Sequence, residues 1–372
     1  MCMILILKEW VLMLFDEFKD KVIIVTGHTG FKGSWLSTWL SLIGARVVGI
    51  SNKIPTKPSH YDYLKAHLFK DIREDIRSSE KINNLINSFQ PDYVFHLAAQ
   101  SLVKRSYSNP KLTWETNLMG SINVLEGLKK LNKECISILI TSDKCYKNRE
   151  WVWGYREEDT LGGIDPYSAS KAATELAINS YVKSFFSNSK VSIATARAGN
   201  VIGGGDWSEN RLIPDCVRAW SENKKVKLRS PSSTRPWQHV LEPLSGYLTL
   251  ALNLKENRNL HGQSFNFGPF HDKNSTVLDV VEEISNSWKD IKFEIESESN
   301  KFFHECNLLK LNCDKALQYL KWKPCLSFEE TIEFTSRWYK KYYENVNQIS
   351  ELTEKQILNY ERLFVQRNSF KP

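Results

Sequence analysis

Tyr167 and Lys171 stand four residues apart, directly after Asp165-Pro166. A phenol ionises near pH 10, so it serves as a base at neutral pH only with a cation close by. Residues at i and i+4 share one helix face, which lets Lys171 supply that field and reach a nucleotide ribose. Asp165 suits an N-cap and Pro166 a first helical turn, so a helix is expected to open there. Two other pairs share the spacing, Tyr61/Lys65 and Tyr107/Lys111, the second broken by Pro110. Position separates them: only Tyr167 follows the apolar run 136–140.

That run leads into Thr141-Ser142-Asp143-Lys144-Cys145-Tyr146. A hydroxyl, a carboxyl and an amine in succession could polarise a carbonyl, donate a proton and remove one. A capped turn closed by a salt bridge is the plain alternative. Asp143 needs a raised pKa to act as an acid, and Lys144 a lowered one, from near 10.4, to act as a base. An ion pair between the two would shift both the wrong way.

A third element lies near the N-terminus. Val22-Ile23-Ile24-Val25 feeds into Thr26-Gly27-His28-Thr29-Gly30-Phe31-Lys32-Gly33. Glycines at a sharp strand-to-helix turn allow positive φ and let backbone N–H groups approach a phosphate, which the helix N-terminus also favours. The loop is therefore expected to hold a dinucleotide pyrophosphate, with Lys32 either pairing with phosphate or solvated. After the next strand comes Ser51-Asn52-Lys53, without the carboxylate that usually holds the ribose 2′-OH of NAD. Asn52 could bond that hydroxyl and Lys53 could tolerate a 2′-phosphate, so NAD and NADP both stay open.

The elements that must position these groups alternate along the chain. Strand-like runs at 22–25, 46–50, 93–97, 136–140 and 191–196 are separated by helical patterns near 32–43, 78–89, 115–131 and from Pro166. Apolar strands alternating with helices predict an α/β fold with a doubly wound parallel sheet covered on both faces. Past residue 200 the alternation fails, and Gly203-Gly204-Gly205-Asp206-Trp207 and Arg235-Pro236-Trp237 suggest a smaller lobe closing over a ligand. The expected division is an extension over 1–20, a dinucleotide domain over 21–200, a substrate lobe over 201–345 partly interleaved with it, and a tail from 346 to 372.

The 372 residues are 41% hydrophobic and 25% charged, an ordinary globular composition. A net charge of +7 suits anionic small molecules. The one basic cluster (Lys224, Lys225, Lys227, Arg229, Arg235) is too short for a nucleic-acid stripe, so no nucleic-acid partner is expected. Seven scattered cysteines without a C-x-x-C pair predict reduced thiols and no metal site. The apolar segment 1–15 is interrupted by Lys8 and Glu9 and is too short to span a membrane. It reads as a short extension or an upstream start, and the protein is expected to be cytoplasmic.

Together these features resemble the nucleotide-sugar branch of the extended short-chain dehydrogenase/reductase family, and within it the 4,6-dehydratases that act on CDP-glucose. The resemblance runs from about residue 21 to 343. Its matching stretches are TGHTGFKGSWL (26–36), HLAAQSLVKRSY (96–107), TSDKCYKNREWVWGY (141–155), DPYSASK (165–171), RAGNVIGGGDW (197–207), RLIPD (211–215) and RPWQHVLEPLSGYL (235–248). It implies NAD as cofactor, transient oxidation at the sugar C4 with Tyr167 as base and Lys171 assisting, and Asp143 as the acid at the 6-OH. Lys144 would be the C5 base, a departure from the Asp-Glu step of the dTDP-glucose enzymes, and Ser142 would bond the sugar 4-oxygen. It further implies Gly27, His28, Thr29, Gly30, Phe31, Lys32, Gly33, Leu97, Ala98, Ala99, Gln100 and Asn117 around the cofactor, with Asp71 and Ile72 at the adenine. Ser101, Asn200, Arg211, Arg229, Arg235 and His304 would meet the sugar nucleotide. A homodimer or homotetramer and a place in deoxysugar synthesis for bacterial surface polysaccharides are implied likewise. Dehydratases of dTDP-glucose or GDP-mannose, a 4-epimerase, and a nonenzymatic NAD-binding or scaffold protein are the competing readings.

Overall fold

A computed structural model of the chain describes residues 15–64, 68–228, 230–270, 275–285, 288, 292–295 and 308–368. The N-terminal segment up to residue 14 lies outside them, as do Arg229 and His304. The first half alternates: β1 (Val22–Thr26), α1 (Phe31–Ile43), β2 (Arg46–Ser51), β3 (Lys70–Arg73), α2 (Ser79–Phe89), β4 (Tyr93–His96), α3 (Gly120–Lys129), β5 (Cys135–Ile140), α4 (Pro166–Tyr181) and β6 (Val191–Ala198). The second half supplies α5 (Leu212–Ser221), α6 (Leu241–Glu256), β7 (Ser264–Phe267), α7 (Phe328–Glu344) and α8 (Ile349–Asn368).

All seven strands form one parallel sheet in the order β7-β6-β5-β4-β1-β2-β3. All but the edge strand β3 are largely buried on both faces because apolar helices cover each side. Trp35, Trp39, Leu244 and Leu248 pack on one face, and Ile82, Ile86, Val124 and Leu128 on the other. The order reverses between β1 and β4, and the crevice beyond their carboxyl ends is where doubly wound sheets bind ligands.

Two strands escape the apolar-run criterion. β3 is a polar edge strand, Lys70-Asp71-Ile72-Arg73, largely exposed, so no buried pattern marks it. β7 lies far beyond residue 200, yet it pairs with β6 from Ser264 opposite Thr195 to Phe267 opposite Ala198. The sheet therefore takes its last strand from the segment expected to form the second lobe. The expected helix over 115–131 begins with a π turn, Glu115–Met119, before α3. Such wide turns are frequent at functional sites, and this one contains the buried Asn117.

The segment from 346 is no loose tail. α8 buries Ile357, Tyr360 and Phe364, and Tyr360 donates to Glu242 at 2.8 Å. A capping box, Ser327 with Glu330, starts the preceding α7. On α8, Glu361 accepts from the Trp39 indole, while its Oε2 is buried with no partner. Burial pushes this carboxyl up from 4.5 to about 7. A folded-state pKa above the unfolded value contributes stability that is complete below about pH 4.5 and lost as pH rises through 7. The loss amounts to about 3 kcal/mol. Glu361→Gln is expected to flatten the fall in denaturant midpoint between about pH 5 and 8. An unchanged slope would show that Glu361 does not carry the effect.

Candidate active site

The glycine loop is built by steric exclusion. Gly27 has φ +75°, and a Cβ there would lie 2.7 Å from the Ala98 nitrogen. A Cβ on Gly33 would lie 2.1 Å from the Gly27 carbonyl oxygen, whereas one on Gly30 would meet the same oxygen at 3.2 Å. Gly27 thus lets the loop lie against the segment after β4, and Gly33 lets α1 lie against the loop. No side chain caps α1, whose N-cap is Gly30, so its first-turn N–H groups face the crevice with the positive end of the helix dipole. An open helix end behind a cradle that only glycine can form fits a dinucleotide pyrophosphate. Leu97, Ala98 and Ala99, all partly exposed, and the buried Gln100 continue the wall.

Two residues expected at the cofactor have other uses. The His28 ring is fully buried, bonded through Nε2 to Asp71 at 2.9 Å and through Nδ1 to Ser51 at 3.0 Å. Burial lowers its pKa. Its side chain holds the loop to β2 and β3 and does not face the crevice. Asn117 is likewise internal: its carbonyl accepts from the Gln100 amide at 2.8 Å, and its amide donates to the Gln100 carbonyl and to Ser170. Both therefore position the walls of the site. Asp71 also accepts from Tyr61 and Arg73 at the edge of the sheet, beside the partly exposed Ile72. Thr29 donates to the Lys53 carbonyl at 2.7 Å, and Asn52 donates to Asp75.

The second half of the site forms where β5 ends. Asp165 caps α4 by accepting from Ser168 N–H at 2.9 Å, as its position predicts. That helix carries Tyr167, Lys171 and Glu175 on one face, all buried. Lys171 Nζ donates to the Ile140 carbonyl at 3.1 Å. Burial draws the Lys171 pKa down to about 8, with Glu175 opposing. Glu175 in turn is paired with Arg197 at 2.9 Å and accepts from Thr141 and Thr195.

Burial also dominates at the phenol and the acid. Tyr167 is pushed up to about 12, against the pull of the Ser142 hydroxyl and of Arg211. The lowering expected from a neighbouring cation is thus outweighed, because a phenolate in a dry pocket loses its hydration. Asp143 is raised by burial, against Lys144, Ser142 and Lys32, which is the direction an acid needs. Lys144 sits partly exposed beside it, and among the described residues no ion pair joins the two. Ser142 donates to Asp143 at 2.9 Å and accepts the Lys144 N–H at 3.2 Å. Gly199 lies over the acid; a Cβ there would be 2.9 Å from Asp143 Oδ2 and 3.0 Å from Pro236.

Two further cations enter this centre. Arg211 is anchored to Asp206 at 2.7 Å and acts electrostatically on Tyr167 and Lys32. Lys32 donates to the Tyr247 hydroxyl at 3.3 Å, and burial, with Arg211 and Lys171, pulls it down to about 7. Lys32, expected either to pair with phosphate or to be solvated, links instead to Tyr247 on α6, which no local pattern predicts because the residues lie so far apart. Glu175, by contrast, stands four residues after Lys171 and was accessible to the same spacing argument. Of the sugar-nucleotide candidates, Ser101 is exposed and Asn200 partly exposed at the end of β6. Arg235 donates to the Thr234 carbonyl and lines a cleft of about 340 Å³ with Trp237, Phe270 and Lys310. Pro236 joins that cleft to Gly199 and Asp143.

Residues 24–335 match the family model described as GDP-mannose 4,6 dehydratase. The chain belongs to that family. A CDP-glucose 4,6-dehydratase from Salmonella typhimurium is 44% identical over 330 residues, covering 87% of this chain and 91% of the relative. Among solved structures, an epimerase from Methanothermobacter thermautotrophicus superposes with TM-score 0.76 at 22% identity, covering 91% of this chain and 97% of that one. A dTDP-glucose 4,6-dehydratase from Bacillus anthracis, solved in complex with NAD, superposes with TM-score 0.71 at 22% identity, covering 87% and 98%. These two likenesses establish the shared fold.

The glycine geometry yields a graded test. Gly33→Ala should abolish retention of the dinucleotide, read by fluorescence titration, because its Cβ would strike backbone. Gly30→Ala should weaken retention far less, since its neighbour need give only a few tenths of an ångström. Equal losses would refute the steric account.

Proposed function

We infer that the chain catalyses the NAD-dependent 4,6-dehydration of CDP-glucose to CDP-4-dehydro-6-deoxy-D-glucose and water. The observation that carries this reading is a proton acceptor, Tyr167, and a raised-pKa acid, Asp143, in one buried pocket behind a dinucleotide cradle, in a chain 44% identical to a CDP-glucose 4,6-dehydratase. When bound, NAD supplies a reversible hydride acceptor. Tyr167 takes the proton of the sugar 4-OH, and Lys171 and Arg211 supply the positive field that a phenolate in this pocket requires. The new C4 ketone acidifies the C5 proton, which Lys144 removes in this reading. Asp143 protonates the departing 6-OH.

An epimerase has no use for an acid at the 6-position, and the burial that raises the Asp143 pKa argues against that alternative. The cleft beside Pro236 offers Arg235, whose planar fork suits a pyrophosphate, and Trp237 and Phe270, whose rings suit a base. Among the described residues no helix is long and apolar enough to cross a membrane, and the described cysteines are free thiols. A cytoplasmic setting and a small-molecule substrate are part of the same proposal.

We also propose self-association. The Pro110–Met119 segment packs beside α4, and these helices expose Met119 (48%) and Leu176 (61%) together with Trp114 and Phe185. Burying such an apolar face against a second copy is favourable. Leu176→Glu should shift the light-scattering mass towards 43.1 kDa; an unchanged mass would place the interface elsewhere.

The activity test is product analysis after incubation with CDP-glucose, dTDP-glucose and GDP-mannose. CDP-glucose should give the 4-keto-6-deoxy product fastest, and recovery of only the 4-epimer would refute dehydration. Tyr167→Phe should cut turnover by about 100-fold or more while NAD stays bound; an unaffected rate would remove Tyr167 from the chemistry.

A further inference from the structure

The helix α8 (Ile349–Asn368) lies beyond residues 24–335 that the family model matches, and none of its residues lines the cleft beside Arg235. It is nevertheless bonded to the walls of both ligand sites. On the cradle side, Thr353 Oγ1 is hydrogen-bonded to His60 Nε2 at 3.3 Å, and His60 Nδ1 to Ser34 Oγ at 2.8 Å. Ser34 directly follows Gly33, in the first turn of α1, the helix that opens onto the crevice. His60 also stacks on Trp35, and the Trp39 indole donates to Glu361. α8 thus grips α1 at its first turn and again at Trp39.

The cleft side is held by a different part of the same helix. Tyr360 donates to Glu242 Oε2 at 2.8 Å, while Glu242 Oε1 accepts the N–H groups of Cys325 and Leu326 at 2.8 and 2.5 Å. Arg367 donates to the Cys325 carbonyl at 2.8 Å and pairs with Glu330 at 2.6 Å. Glu242, Pro324, Leu326, Ser327 and Phe328 form one wall of the cleft. One helix therefore fixes that wall and the cradle helix relative to each other. Its own docking is incompletely satisfied: Glu361 Oε2 and Gln356 Oε1 are buried without a partner. Each has given up water with no bond in return, which weakens the docked state. Elements that move in coupled transitions come from such low-stability parts of a fold.

We propose that α8 is a strap that couples the two ligand sites, so that a dinucleotide in the glycine cradle and a nucleoside diphosphate in the cleft each raise the other's affinity. Docked, the strap holds α1 and the cleft wall in the arrangement that both ligands require. The first ligand bears the cost of drawing the strap down, and the second binds without it. By linkage the gain is the same in either direction. A reaction that returns its hydride within one site benefits from a cofactor held fastest while the sugar nucleotide is present.

The strap rests on reading the cleft as the nucleotide subsite, and binding without turnover tests it. Affinities of the full chain for NAD and for CDP are measured by titration, each alone and each with the other saturating. Tyr360→Phe removes only the hydroxyl that reaches Glu242. It should weaken NAD alone and CDP alone by the same factor, about tenfold, and a saturating second ligand should restore each to within about twofold of wild type. Should Tyr360→Phe misfold, Arg367→Ala loosens the strap from its half-exposed end and is judged by the same four affinities. Amide exchange over 349–368 in the wild type should slow with NAD alone and with CDP alone, although neither ligand touches α8. Unequal losses, losses that the second ligand does not restore, or competition between NAD and CDP would overturn the strap. CDP that fails to bind the wild type would overturn the cleft reading and the strap together. Coupling intact in a protein that forms no product from CDP-glucose would support the strap and refute the dehydratase reading alone.

Discussion

The buried pair of Glu175 and Arg197 is the contact on which the reactive half of the molecule depends. Arg197 leaves β6 and meets Glu175 with two nitrogens, at 3.0 and 2.9 Å, and its remaining donors reach Tyr146, the Glu157 carbonyl and Ser264. Glu175 also accepts from Thr141 after β5, Thr195 on β6 and Ser264 on β7. Burial by itself would raise the Glu175 pKa, but Arg197 and these donors hold it below the ordinary value. Ions taken out of water are costly unless every lone pair and proton is met, and breaking such a pair costs about 3–5 kcal/mol. Here the full complement is met, and in meeting it the pair ties three strands to α4. The helix that carries Tyr167 and Lys171 is thereby set in both angle and depth against the strand end that carries Ser142 and Asp143.

Depth then decides the chemistry. The same desolvation acts on every ionisable group in the pocket, but its sign depends on the charge type. It raises the phenol and the acid and lowers the two lysines. A carboxyl whose pKa is raised and amines whose pKa is lowered are suited to acid and base work. The cations Lys32, Lys171 and Arg211 outnumber Asp143 at the centre, which favours anionic ligands such as diphosphates. The pocket is therefore dry enough to tune its groups and positive enough to draw its ligands.

The main lines of the fold and site were legible in local pattern. Runs of four to six largely apolar residues marked β1, β2, β4, β5 and β6, and Asp165-Pro166 marked the start of α4. The glycine loop was read from residue type alone. β3 was not, because a polar edge strand has no buried face to betray it, and β7 was not, because its partner lies about seventy residues upstream. His28 and Asn117 were placed at the cofactor by likeness of motif, but their hydrogen bonds are spent on Asp71, Ser51, Gln100 and Ser170.

By itself the amino-acid sequence determined five of the seven sheet strands and the helices between them, the turn that only glycine can make, and the shared helix face of Tyr167 and Lys171. Each is written in spacings of two to seven residues, where backbone geometry and side-chain size act directly. The tertiary structure alone decided which way Tyr167 and Lys171 shift and that Lys32 meets Tyr247. Those outcomes depend on burial and on contacts between distant segments, and desolvation is a property of the folded surroundings rather than of any short stretch of chain.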